Sequence, residues 1–174
     1  MGTVYINNAA TAWPKAPGVE QVVAGKIAAI PIHPGRAGFE VADPVGDCRK
    51  MLGSLLKVDD FNRVIFAANA THALNIALHG FPWREGATVV ITAAEHNAIL
   101  RPLHFLHKHR NLQVELVEVD SSGRVIMEKW EAALKKYRPQ LVAFTHASNV
   151  TGSINPVAEM GKLAREAGAV SLLD

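Results

Sequence analysis

The sequence predicts an α/β fold of three layers, α/β/α, with helices on both faces of a mostly parallel sheet. Three observations predict it. Short β-type runs alternate with segments of helical period through most of the 174 residues. Turn and cap residues stand where the period switches. The closing run Ala169 to Leu173 is apolar apart from Ser171 and ends on a carboxylate, Asp174, as a buried strand of an open sheet does at its ligand-binding edge.

The elements follow in order. Asn7 to Pro17 is irregular and rich in Ala, Asn and Pro. Gly18 to Ile30 reads as a helix, His33 to Gly38 as a loop carrying Arg36, and Pro44 to Lys57 as a helix with Val45, Cys48, Leu52 and Leu55 facing inward. Arg63 to Ala67 is a β-type run, followed by the helix Thr71 to Gly80 with Ala73, Leu74, Ala77 and Leu78 on one side. Thr88 to Thr92 is a strand and Asn97 to His109 a helix. Gln113 to Asp120 is the next strand, closed by the turn Asp120 to Gly123, and Met127 to Tyr137 is helical until Pro139 ends it. Leu141 to Thr145 and Val170 to Asp174 are strands, with the helix Pro156 to Ala167 between them, begun by Pro156 and stopped by Gly168. The expected organisation is an arm over residues 1–16 and a partial sheet domain over 17–174.

Composition excludes several classes. Eighteen Lys and Arg face sixteen Asp and Glu, and no basic block resembles a nucleic-acid footprint. No run reaches the roughly 18 apolar residues of a membrane span, and Met1 to Ala10 lacks the pattern of a secretory signal. A cytoplasmic location is the expectation. Cys48 is the only cysteine, so no internal disulfide and no cysteine-based zinc cluster can form. His104 and His107 share a helix face without a carboxylate or cysteine beside them, which reads as a solvated surface. No strand is followed by the Gly-x-Gly-x-x-Gly spacing of dinucleotide-binding folds.

Chemistry is expected where strands end and helices begin. Ala68 to His72 is a small-residue loop opening a helix whose free N–H groups favour an anion such as phosphate. Asn69 is suited to a left-handed conformation, and Thr71 either caps the helix or bonds a phosphate oxygen. Ala93 to Ala98 sets Glu95, His96 and Asn97 together before a helix, where a flat imidazole suits stacking on a planar cofactor or acid–base work, and equally a cap. Thr145 to Gly152 gathers hydroxyl, imidazole and amide groups, with Asn149 among them, and Asp174 ends the last strand.

With these residues in view, the chain resembles the amino-terminal part of a class V aminotransferase of the cysteine desulfurase and selenocysteine lyase group. The matching stretches are Tyr5 to Thr11, Phe66 to Asn75, Glu95 to Ala98 and Thr145 to Gly152, ending at Asp174. The resemblance implies the large domain of fold type I pyridoxal phosphate enzymes. It further implies that Ala70 and Thr71 bind the cofactor phosphate, that His96 stacks on the pyridine ring, and that Asn149 lies near the phenolic oxygen. Asp174 would pair with the pyridine nitrogen and keep it protonated, so His96 and Asp174 are the expected catalytic residues. Asn8, Ala9 and Ala10 resemble the segment that passes close to the substrate, an amino acid such as cysteine or selenocysteine that leaves as alanine.

The anchoring lysine, the nucleophilic cysteine and the arginine that grips the substrate carboxylate lie beyond the aspartate in the family pattern. A homodimer and a sulfur-acceptor protein are implied for the parent chain. For residues 1–174 alone, the expectation is weak non-covalent cofactor binding, little or no desulfurase activity, and an exposed apolar sheet edge. Asn7, Asn69 and His72 depart from the commonest pattern, where Asp, Gly and Glu are frequent. The alternatives are a class V aminotransferase for another amino acid and a non-catalytic fragment kept for binding.

Overall fold

The computed structural model describes residues 4–29 and 43–174, and the chain divides after Ile65 into two compact units. The loop His33 to Gly38, with Arg36, lies outside the described residues.

In the first unit, α1 spans Val19–Ala28 and α2 spans Pro44–Leu56. Asp43 caps α2 by accepting the Gly46 N–H at 2.9 Å, and Pro44 occupies the first turn, where its missing donor costs nothing. The inward stripe expected on α2 does not form. Cys48 is exposed, as are Val45 and Leu55, and Leu52 is half-buried. The buried residues of the helix are Gly46 and Gly53, because the close approach is made by backbone: a Cβ placed on Gly53 would stand 3.4 Å from Cβ of Phe61. Cys48 is therefore not the small buried group its spacing suggests.

The strand expected at Arg63 to Ala67 is also absent. A 3-10 turn runs from Phe61 to Arg63, with the Asp60 carboxylate accepting the Asn62 N–H at 3.0 Å. The β-type residues that follow have no neighbouring strand to complete a ladder, and one of their carbonyls, on Val64, accepts from Arg49 Nε at 3.1 Å.

The second unit holds α3 (Ala70–Gly80), β1 (Thr88–Thr92), α4 (Asn97–Arg110), β2 (Gln113–Val117), α5 (Met127–Tyr137), β3 (Leu141–Phe144), α6 (Val157–Glu166) and β4 (Val170–Leu173). The strands are all parallel, in the order β2-β1-β3-β4. This is the expected α/β arrangement. Alternation along each strand sends Val89, Ile91, Leu141 and Ala143 into one layer, against Leu74, Leu78, Ile99 and Leu103 of α3 and α4. Val90, Val142 and Phe144 enter the other, against Trp130, Leu134, Met160 and Ala164 of α5 and α6.

Two expectations are narrower in fact. On α3 only Leu74 and Leu78 are buried, while Ala73 and Ala77 are exposed. β4 is an edge strand, not a buried one: Val170 and Leu173 are each about half exposed, since β3 covers one side only. All strands point their carboxyl ends to one edge of the sheet, which is where the loops of interest meet.

Trp130 is fully buried, edge-on to Phe144 at 5.4 Å, with its Nε1 donating to the Met160 carbonyl at 3.4 Å. Trp130→Ala should lower the unfolding free energy by about 3–5 kcal/mol in urea denaturation. Lys162→Ala, on the exposed side of α6, should change it by less than about 0.5 kcal/mol. Equal effects would contradict this assignment of the second core layer.

Candidate active site

At the start of α3, Asn69 is the cap. Its φ of −166° is extended, not left-handed as expected, and its Oδ1 accepts the His72 N–H at 2.8 Å. Thr71 is thus released from capping. The N–H groups of Ala70 and Thr71 meet no acceptor among the described residues, which leaves two oriented donors at the positive end of the helix. The His72 ring turns back, with Nδ1 accepting the Ala68 N–H at 3.4 Å.

β1 delivers the second loop. His96 caps α4, its Nδ1 accepting the Ala98 N–H at 3.1 Å. That bond places the ring proton of the neutral imidazole on Nε2 and leaves the ring exposed. His96 and Thr71 face a common cleft of about 600 Å³, whose walls also carry Asn75, Asn97, Arg101 and Phe105. The first turn of α3 and the His96 ring therefore face one cavity.

Just before His96, Glu95 turns the other way and is 7% exposed. Its Oε1 accepts from the Thr92 hydroxyl at 2.5 Å and from the Thr145 N–H at 3.1 Å, while Oε2 is buried without a hydrogen-bond partner. Burial pushes its pKa up to about 7; the bonds from Thr92 and Thr145 oppose the rise, and the nearby Asp174 charge adds to it.

The loop after β3 closes on itself. Ser148 Oγ accepts the N–H groups of Val150 and Thr151, each at 3.2 Å, and Gly152 takes φ +70° to complete the turn. Asn149 stands exposed at its tip. Asp174 follows β4, its N–H donating to the Phe144 carbonyl at 3.1 Å and its carbonyl accepting the His146 N–H at 2.8 Å. Its side chain is exposed at the same sheet edge. Asn149 and Asp174 lie outside the walls of the Thr71–His96 cleft, on the neighbouring strand ends. Asn8, Ala9 and Ala10 belong to the first unit, in an exposed turn where Asn8 Oδ1 accepts the Trp13 N–H at 2.9 Å.

Asn155 escaped the sequence reading as a site residue. It is 2% exposed, with Oδ1 accepting the Val125 N–H at 2.9 Å and Nδ2 donating to the Thr145 carbonyl at 3.0 Å. Its only local signal is its place before Pro156, which marks a helix start and says nothing of burial. On α4, His107 Nδ1 lies 2.6 Å from the Leu112 carbonyl and the His109 ring packs 4.3 Å from Phe105. Among the described residues no three acidic, histidine or cysteine side chains cluster as metal ligands, and no helix is long and apolar enough to cross a membrane.

The donor set suits pyridoxal phosphate: two unclaimed N–H groups and a hydroxyl for a phosphate, an imidazole face for a ring, and a carboxylate at a strand end for a ring nitrogen. The chain is 31% identical over 130 residues to a probable cysteine desulfurase of Pyrococcus abyssi, covering 74% of this chain and 32% of that protein. It is 33% identical over 138 residues to the cysteine desulfurase IscS of an Anaeromyxobacter species, covering 76% and 33%. Among solved structures, the apo cysteine desulfurase of Thermococcus onnurineus superposes with a TM-score of 0.68 at 30% identity, over 74% of this chain and 32% of that one. The chain thus spans about a third of the length of these relatives. The model of the family "Aminotransferase class-V" matches residues 4–174, and the chain belongs to that family.

Proposed function

We propose that this chain provides the cofactor-binding portion of a pyridoxal phosphate-dependent cysteine desulfurase, which removes sulfur from L-cysteine, or selenium from L-selenocysteine, and leaves L-alanine. The observation that carries the reading is one cleft lined by both Thr71 and the His96 ring, with the N–H groups of Thr71 and of its neighbour Ala70 unclaimed at the start of α3. The chain's kinship with proteins named as cysteine desulfurases supports it.

When bound, pyridoxal phosphate supplies an electron sink for a carbanion at the α-carbon of an amino acid. The protein's part is to bind, orient and hold protons. The first turn of α3 receives the phosphate through the Ala70 and Thr71 N–H groups, with Thr71 Oγ1 as a third donor and the helix dipole favouring the anion. His96 cannot turn its ring without giving up the Ala98 N–H, so it offers one fixed face for stacking. Asp174 accepts a hydrogen bond from the ring nitrogen and keeps a proton there. Asn149, at the tip of the β3 loop, offers an amide donor to the phenolic oxygen. Asn8, Ala9 and Ala10 match the family segment that passes close to the substrate.

A homodimer, a sulfur-acceptor protein and a cytoplasmic site of action belong to the same proposal and come from the family resemblance. A second reading, an aminotransferase acting on another amino acid, draws on His72. That residue replaces the frequent Glu at the third position of α3 and turns its ring toward the Ala68 N–H. Product analysis in the presence of a thiol reductant, which releases the transferred sulfur as sulfide, separates the two: alanine with sulfide from cysteine, or a keto acid from a different amino acid.

Borohydride reduction of the full-length protein with pyridoxal phosphate, followed by peptide mapping, should label one lysine, and the protein should release alanine from cysteine. No specific label in that protein would refute the cofactor. Asp174→Asn should lower kcat by about 100-fold or more while leaving the dissociation constant for pyridoxal phosphate within a few-fold. Thr71→Ala should do the reverse, weakening cofactor binding about tenfold, the loss of one hydrogen bond to a charged group. Spectroscopic titration with the cofactor and steady-state rates would decide both, and identical defects in the two variants would sink the division of roles.

A further inference from the structure

Glu95 is the only carboxyl group among the buried side chains of the described residues. Its surroundings are built for it on one oxygen and not on the other. Oε1 holds two donors from different strands, the Thr92 hydroxyl at the end of β1 and the Thr145 N–H at the end of β3. Oε2 is enclosed and unpaired, a costly situation for a charged carboxylate and a cheaper one for the neutral acid. From the far side of β3, Asp174 grips the flanking residues by its backbone, donating to Phe144 and accepting from His146. The two acids hold three successive residues of one strand end from opposite sides.

We propose that Glu95 is a positioning residue that fixes the end of β3 against β1 and, lying across that strand from Asp174, reserves the negative charge of this edge for Asp174. The inference rests on the reading of Asp174 as the partner of the cofactor's ring nitrogen. Glu95 meets the Thr92 hydroxyl from β1, the Thr145 N–H from β3 and the Asp174 charge from the end of β4, and α4 begins beside it with His96. The Asp174 charge acts on it and raises its pKa. A second negative charge at this edge would arise only when Glu95 ionises, and burial with the Asp174 charge delays that to about pH 7.

The direction of the pH effect follows. The folded protein keeps the Glu95 proton up to about pH 7, whereas the unfolded chain releases it near the ordinary carboxyl value of 4.5. The stabilisation from that bound proton is complete below the unfolded value and is lost as pH rises through the folded one.

The test compares the full-length parent with Glu95→Gln and Glu95→Ala, each with pyridoxal phosphate and after its removal. Gln keeps an acceptor for Thr92 and Thr145 but cannot titrate. Without cofactor, the Glu95 contribution should make the melting temperature of the parent decline between about pH 4.5 and 7 and level off above; Glu95→Gln should lack that decline, and in Asp174→Asn it should level off at lower pH. With cofactor, the visible absorbance of the parent should titrate near pH 7, and Glu95→Gln should lose that titration. Glu95→Ala should lose the clamp itself and melt lower at every pH. Parent-like pH curves for Glu95→Gln in both forms, or a decline that levels off at the same pH in Asp174→Asn as in the parent, would overturn the proposal. A parent that shows no cofactor absorbance would overturn the function proposed for Asp174, while the cofactor-free curves would still decide the clamp.

Discussion

The second unit is organised by the need to satisfy the backbone at the carboxyl end of β3. Strand β3 is buried along its whole length, and the peptides at its end must find partners outside the ladder. Each polar group there finds such a partner. The Phe144 carbonyl and the His146 N–H go to the backbone of Asp174, the Thr145 N–H to Glu95, and the Thr145 carbonyl to the Asn155 side chain. The His146 carbonyl accepts the Asn155 N–H at 2.9 Å. Three loops are thereby tied to one point, and they are the loops that carry His96, Asn149 and Asp174.

That arrangement explains why a polar edge can be rigid. A loop residue such as His96 is exposed, yet it sits between Glu95, anchored to two strands, and Ala98, whose N–H it caps. Its ring direction is therefore set by buried neighbours instead of by the loop's own sequence. The same bonds raise the cost of error. A residue that removed the acceptor for the Thr145 N–H would leave a buried donor unpaired, at roughly 1–3 kcal/mol, and would free the β1 and β3 ends from one another.

Much of the fold was legible because local signals and global packing agree. β1 and α5 have the bounds that the sequence predicts, Thr88–Thr92 and Met127–Tyr137; one is an apolar run among turn residues, the other an amphipathic stretch closed before Pro139. Where the reading failed, the deciding partner was remote or was backbone. Arg63 to Ala67 has strand composition but no strand beside it. The stripe on α2 was read from its apolar side chains, whereas the contact is made through Gly53. Asn69 was read as a left-handed residue and is an extended cap, because its amide reaches His72 only from that conformation. At the edge of the sheet, Glu95 and His96 were visible as residue types. The burial of Glu95 was not, since it depends on Thr145, fifty positions away.

The two charge preferences of the site arise from different layers and can change separately. The anion preference belongs to α3, where Asn69 takes the His72 N–H and thereby leaves those of Ala70 and Thr71 for a ligand. The preference for a protonated group belongs to the strand ends, where Asp174 is the exposed acid and Glu95 the buried one. A ligand with a phosphate at one end and a basic ring nitrogen at the other answers both. His72 lies on the first of these elements but contributes a ring, not one of the unclaimed N–H groups. A change there can retune what lies beside the helix start without disturbing the donors that face an anion.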